Sequence, residues 1–162
     1  MINRIAAFLD SAAGIFNLIS AGAVFSIMII IVGDVTLRFF GIPVAGAFDL
    51  VGLLGAVAIS FALAYTSIER GHIAVEFLFL KLPERGRYLM TAVNESVAAV
   101  FFGIVSWRTA VYALELRSGG EVSLTVQLPV YPFVMGISLS AGLLAAVLLF
   151  NFIKTVRWLI RR

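Results

Sequence analysis

Long apolar stretches broken by short polar segments organise this chain, and the pattern predicts four membrane-spanning helices at about 12–36, 45–68, 88–116 and 129–153. An apolar run of about 18 or more residues reads as a transmembrane helix, because lipid leaves backbone polar groups to be satisfied within the segment. The first run contains a small-x-small sequence at Ala21-Gly22-Ala23, but it continues apolar to Val32, too long for the core of a cleaved signal, so it is expected to be an uncleaved span. Gly41-Ile42-Pro43 breaks it from the second. The polar, glycine-containing loop Arg117–Thr125 separates the third from the fourth. Pro129 and Pro132 open that last span, where a missing N–H costs little. About 29 residues in the third run would extend about 43 Å as helix, against a hydrocarbon core of about 30 Å. It must tilt or leave the bilayer beyond Trp107 and Arg108, the first suited to the lipid interface and the second able to snorkel. Gly52, Ala56, Ser60 and Ala64 recur every four residues, as do Ser138, Gly142 and Ala146. Such ridges of small residues let helices approach closely in lipid.

The connection Glu69–Arg87, ERGHIAVEFLFLKLPERGR, has a pattern of its own. Its middle, Ile73–Leu82, is too apolar for a free loop and too short to span. It predicts an interfacial segment with Ile73, Phe77 and Leu80 towards lipid and Lys81, Arg85 and Arg87 towards headgroups. The alternative is a frayed end of the second span followed by a tight turn.

Composition agrees with the pattern: 62% of the residues are hydrophobic and 13% charged, against roughly 25% charged in a soluble domain. Mean hydropathy is +1.08. The expected class is an all-α integral membrane protein, one four-helix domain over residues 1–162. The net charge of +3 is explained by membrane anchoring and calls for phospholipids, not nucleic acid. The absence of cysteine excludes disulfides and thiol ligands. Nine of the twelve basic residues fall on one side: Arg4, Arg70, Lys81, Arg85, Arg87, Lys154, Arg157, Arg161 and Arg162. Only Arg38, Arg108 and Arg117 fall on the other, which predicts cytoplasmic N- and C-termini.

Charged residues inside spans are candidates for function. Asp34 and Arg38 lie four apart on one helix face, and Asp49, in the first turn of the second span, could be a further partner for Arg38. They form either a structural charge cluster or a group that helps to move ions. Glu95 is the deepest acid. It could hold a proton, or hydrogen-bond a helix of another subunit; no other polar group in the chain is expected to converge at its depth, which favours the second. His72 and Glu76 are four apart, but two ligands make no metal site without a third, and no cofactor is expected. No phosphate loop, catalytic Ser-His-Asp set or carboxylate dyad is present, which argues against an enzyme.

Several of these elements occur in an order that resembles one family: Arg38-Phe39-Phe40-Gly41-Ile42-Pro43, then Asp49, then Arg70-Gly71-His72-Ile73-Ala74-Val75-Glu76 with Leu82-Pro83, then Thr125-Val126-Gln127-Leu128-Pro129. The order resembles the small membrane subunit of TRAP transporters, the DctQ-like family, over nearly the whole chain. Phe48-Asp49-Leu50, Glu76 and Pro129-Val130 depart from the residues usual there. The resemblance implies a multi-pass protein of the bacterial inner membrane, part of a sodium-driven importer of organic acids. It implies two protein partners, a large membrane subunit and a periplasmic substrate-binding protein. The small subunit would brace the large one and hold no substrate site. Two other readings are a self-sufficient small exporter and a membrane assembly subunit unrelated to transport.

Overall fold

A computed structural model describes the backbone of residues 2–68 and 84–161 and the side chains of 9–63, 65–66 and 86–158. Four helices make up nearly all of it: α1 Ile2–Phe39, α2 Ala47–Ile68, α3 Glu84–Gly119 and α4 Tyr131–Arg161. Among the described residues there is no strand, only an isolated bridge between Val122 and Pro129. The all-helical expectation holds. Three helices carry stretches long and apolar enough to cross a membrane: Leu9–Phe39, Gly86–Gly119 and Tyr131–Trp158. The apolar stretch of α2, Ala47–Leu63, is shorter.

α1, α3 and α4 outrun the hydropathy pattern, whereas α2 stays within its expected bounds. α3 begins at Glu84, so Arg85 and Arg87, read from the sequence as part of the connection, stand in its first turn. α4 continues to Arg161 and carries Lys154, Thr155 and Arg157. Hydropathy marks where apolar side chains stop, whereas the helix runs on as long as backbone hydrogen bonding and packing support it. The interfacial segment Ile73–Leu82, with His72, Glu76, Phe77, Leu80 and Lys81, lies outside the described residues.

α1 packs on α2, α2 on α4 and α4 on α3, with a slight contact between α1 and α4. The result is a row in the order α1, α2, α4, α3, in which α3 meets the rest of the described molecule almost solely through α4. Small residues dominate the contact lines: Ala13, Ala23, Ala58, Ala92 and Ala113 are all buried. Phe61 of α2 fills the α1–α2–α4 junction, stacked on Phe16 at 4.5 Å and facing Gly136 of α4. Along α3 and α4, Leu144 and Leu148 pack against Ala98, Ala99 and Phe102. Tyr88 stacks on Trp158 near the termini of those two helices. Large apolar side chains such as Leu18, Phe25, Val97, Phe101 and Ile104 face outward, as lipid in place of water permits.

Candidate functional site

The end of the row where α1 stops and α2 starts gathers most of the chemistry that the structure describes. α1 ends in a Schellman motif. The N–H of Ile42 donates to the carbonyl of Leu37 at 3.0 Å and that of Gly41 to Arg38 at 3.0 Å. Gly41 supplies the left-handed conformation this closure requires, with φ of 78°. α3 ends the same way, with Glu121 donating to Leu116, Gly120 to Arg117, and Gly120 at φ 64°.

Asp34, 8% exposed, reaches over this turn. Its Oδ1 accepts the Val44 N–H at 2.9 Å and its Oδ2 meets the Arg38 guanidinium at 2.5 Å. The helical pairing of Asp34 with Arg38 is therefore present, with the Arg38 side chain 69% exposed. The hydrogen bond to Val44 could not be read from spacing, because it depends on the path of the chain after Pro43. Through it the carboxylate ties the α1–α2 connection back onto α1.

Asp49 makes the corresponding link to the other connection. Its Oδ2 accepts the Thr125 N–H at 2.9 Å, across 76 positions of sequence. The hydroxyls of Ser123 and Thr125 and the N–H of Val126 also approach the carboxylate. Residues 121–130 form a small hairpin: the Ser123 N–H donates to Leu128 at 2.8 Å, the Gln127 N–H to Ser123 at 3.2 Å, and Gln127 has φ of 54°. Gly46, with φ of 82°, lies so close under Val126 that a Cβ there would collide with the valine side chain. Asp49 engages this hairpin and is not a further partner for Arg38, although both line one cavity of about 400 Å³ between α1, α2 and Thr125. Three separate sequence elements thus meet at one end: Arg38–Pro43, Asp49 and Thr125–Pro129.

The remaining candidates lie apart from it. Glu95 of α3 accepts a hydrogen bond from the Thr155 hydroxyl of α4 at 3.0 Å. This corrects the expectation that nothing polar in the chain converges at its depth. Thr155 lies past the expected end of the fourth span, and only the longer, antiparallel α4 carries it back beside Glu95. Trp107 and Arg108 are exposed on α3. In the ridge on α2, Gly52 faces open space and Ala56 takes the Ser60 hydroxyl at 2.6 Å, while the Ser60 carbonyl accepts from Ser140 of α4. On α4, Ser138 is buried and Gly142 lies against Ser106, but Ala146 is exposed. Among the described residues no three His, Cys, Asp or Glu side chains converge as metal ligands. His72 and Glu76 lie outside that set. Sequence reasoning missed Ser20, Ser106, Ser140 and Thr155; their one signal is a hydroxyl within an otherwise apolar run.

A family model described as "Tripartite ATP-independent periplasmic transporters, DctQ component" matches residues 27–157. No curated protein and no solved structure matches the chain. The matched segment runs from within α1 to near the end of α4 and includes both carboxylate ties. The chain belongs to the DctQ family, the small membrane component of tripartite ATP-independent periplasmic transporters.

Proposed function

We propose that this chain braces the large transport subunit of a sodium-coupled importer of organic acids and holds no substrate site of its own. Membership of the family makes it a component of a tripartite transporter, with a large membrane subunit and a binding protein as its partners, and not a member of an enzyme family. The observation that carries the bracing role is the internal engagement of two carboxylates at one end of the row. Asp34 and Asp49 hold the two connections at one end of the row through main-chain N–H groups. Charges so used fix shape and leave little to bind a travelling solute.

In this reading α2 is the fourth crossing. Its 22 residues make about 33 Å of helix, close to the roughly 30 Å of hydrocarbon. The termini are cytoplasmic, the membrane is the bacterial inner membrane, and phospholipids contact the outward apolar faces. The connection Glu69–Arg87 lies along the cytoplasmic interface. Reconstitution tests the function. Sodium-driven uptake of an organic acid into liposomes should require this chain, the large subunit and the binding protein together. Uptake by this chain alone would make it an exporter-like carrier instead, with Glu95 as its first candidate group. Full uptake by the other two without it would remove the bracing role.

A further inference from the structure

Four serine hydroxyls reach across to carbonyls of neighbouring helices. Ser20 of α1 donates to Ala58 of α2 at 2.7 Å, and Ser140 of α4 donates to Ser60 of α2. Ser106 of α3 and Ser138 of α4 bond reciprocally, each hydroxyl to the other's carbonyl, at 2.9 and 2.8 Å. Other hydroxyls in the helices, among them Ser26, Thr36, Thr66 and Thr91, turn back to the carbonyl four residues earlier on their own helix. That local bond is the ordinary resting place for a serine or threonine in an apolar helix.

The spacing aligns these contacts. Ala58 and Ser60 are two residues apart, as are Ser138 and Ser140. A two-residue step turns about 200° around a helix, so each pair addresses opposite sides of its helix. On α2, Ala58 faces α1 and Ser60 faces α4; on α4, Ser140 faces α2 and Ser138 faces α3. The bonds therefore pass through both central helices and join α1, α2, α4 and α3 in the order in which they stand. The line crosses α2 about halfway along its length.

We propose that this line of hydroxyl–carbonyl bonds is a transverse tie that sets the axial register of the four helices. Apolar contacts among alanines tolerate sliding, because one methyl replaces another along the groove. A carbonyl is a point acceptor, and a hydroxyl displaced by one residue loses it. Lipid offers no water to bridge the gap, so the displaced hydroxyl falls back on a carbonyl of its own helix and the link between helices is lost. The consequence for transport rests on the bracing role: a small subunit that kept its register would give the large subunit a fixed frame.

The chain contains no cysteine, so spin labels can be placed cleanly on exposed sites of the outer helices, Thr36 with Ser118 at one end and Asp10 with Leu89 at the other. Distance distributions are measured on the full chain in lipid nanodiscs. Ser138→Ala with Ser140→Ala should widen both distributions by more than the ~1.5 Å rise of one helical residue. Ser26→Ala with Thr66→Ala, which removes only own-helix bonds, should leave them unchanged. Unchanged widths in the first variant, or equal widening in the second, overturn the tie. If the first variant does not fold, Ser140→Ala alone is judged by the same criterion, and Ser140→Thr should restore the width. Uptake by the reconstituted complex separates the two ideas. Wider distributions with slower uptake support both, wider distributions with full uptake leave the tie and remove the bracing role, and slower uptake with unchanged distributions overturns the tie.

Discussion

Asp34, Gly46 and Asp49 show how a few residues in an otherwise apolar chain hold connections that lipid-soluble helices cannot hold themselves. A turn has main-chain N–H groups with no helical partner, and a carboxylate nearby accepts them as charge-assisted bonds. Asp34 does this for Val44 and Asp49 for Thr125. Gly46 makes the second contact possible, because its missing side chain and positive φ let the hairpin settle on the start of α2. Gly46→Ala should therefore lower stability by about 1–3 kcal/mol, from backbone strain together with the collision with Val126. Val126→Ala added to it removes the collision but not the strain. The double variant should recover part of the loss in a thermal unfolding midpoint; simple addition of two losses would show that the contact carries no weight.

At the scale of elements, the helix ends and the connections bear most of the specificity. The repeated Schellman closure stops α1 and α3 at defined residues, which in turn sets where Asp34 and the 121–130 hairpin begin. The connection Glu69–Arg87, read from its sequence as an interfacial anchor, is expected to hold the adjoining helices at a fixed depth. Phe77 and Leu80 would each contribute about 1.5–3 kcal/mol if fully buried in the interface, and the basic residues about 1 kcal/mol each near anionic headgroups. Phe77→Asp with Leu80→Asp should then reduce co-purification with the large subunit and slow uptake while leaving substrate preference unaltered. His72→Ala should act in the same direction more mildly, and chelators should leave the wild type unaffected. Undiminished complex yield and uptake in the double variant would reduce the stretch to a linker, and loss of activity on metal removal would point to a site at His72 and Glu76.

At the scale of the whole molecule, the described residues form a row of helices with α3 at one edge and α1 at the other, and no described element covers its two broad faces. The proposed orientation, with both termini cytoplasmic, rests on nine basic residues against three. Single cysteines near Glu84 and Arg162 should react with impermeant thiol reagents only from the cytoplasm, and one near Gly120 only from the periplasm. Periplasmic labelling near Glu84 would reverse the topology and place the carboxylate ties on the cytoplasmic side.

The membrane class, the all-helical fold and the family were determined by the amino-acid sequence alone. Apolar runs longer than a bilayer is thick admit one backbone solution, and the order of Arg38–Pro43, Asp49 and Thr125–Pro129 survives in one dimension. Helix ends were less legible, since α4 outlasts its apolar run by carrying Thr155 and Arg157. The partners of the polar residues were decided only by tertiary structure. Asp34 with Arg38 was visible because four residues make one helical turn. Asp49 with Thr125, Glu95 with Thr155 and Ser140 with Ser60 join positions 60 to 80 apart, through helices whose apolar surfaces specify burial but not neighbour. Lipid tails are as apolar as the helix surfaces, so hydrophobicity cannot choose the order α1, α2, α4, α3. That choice lies in directional bonds from single hydroxyls and carboxylates, and in the small residues that let the backbones come close enough to form them.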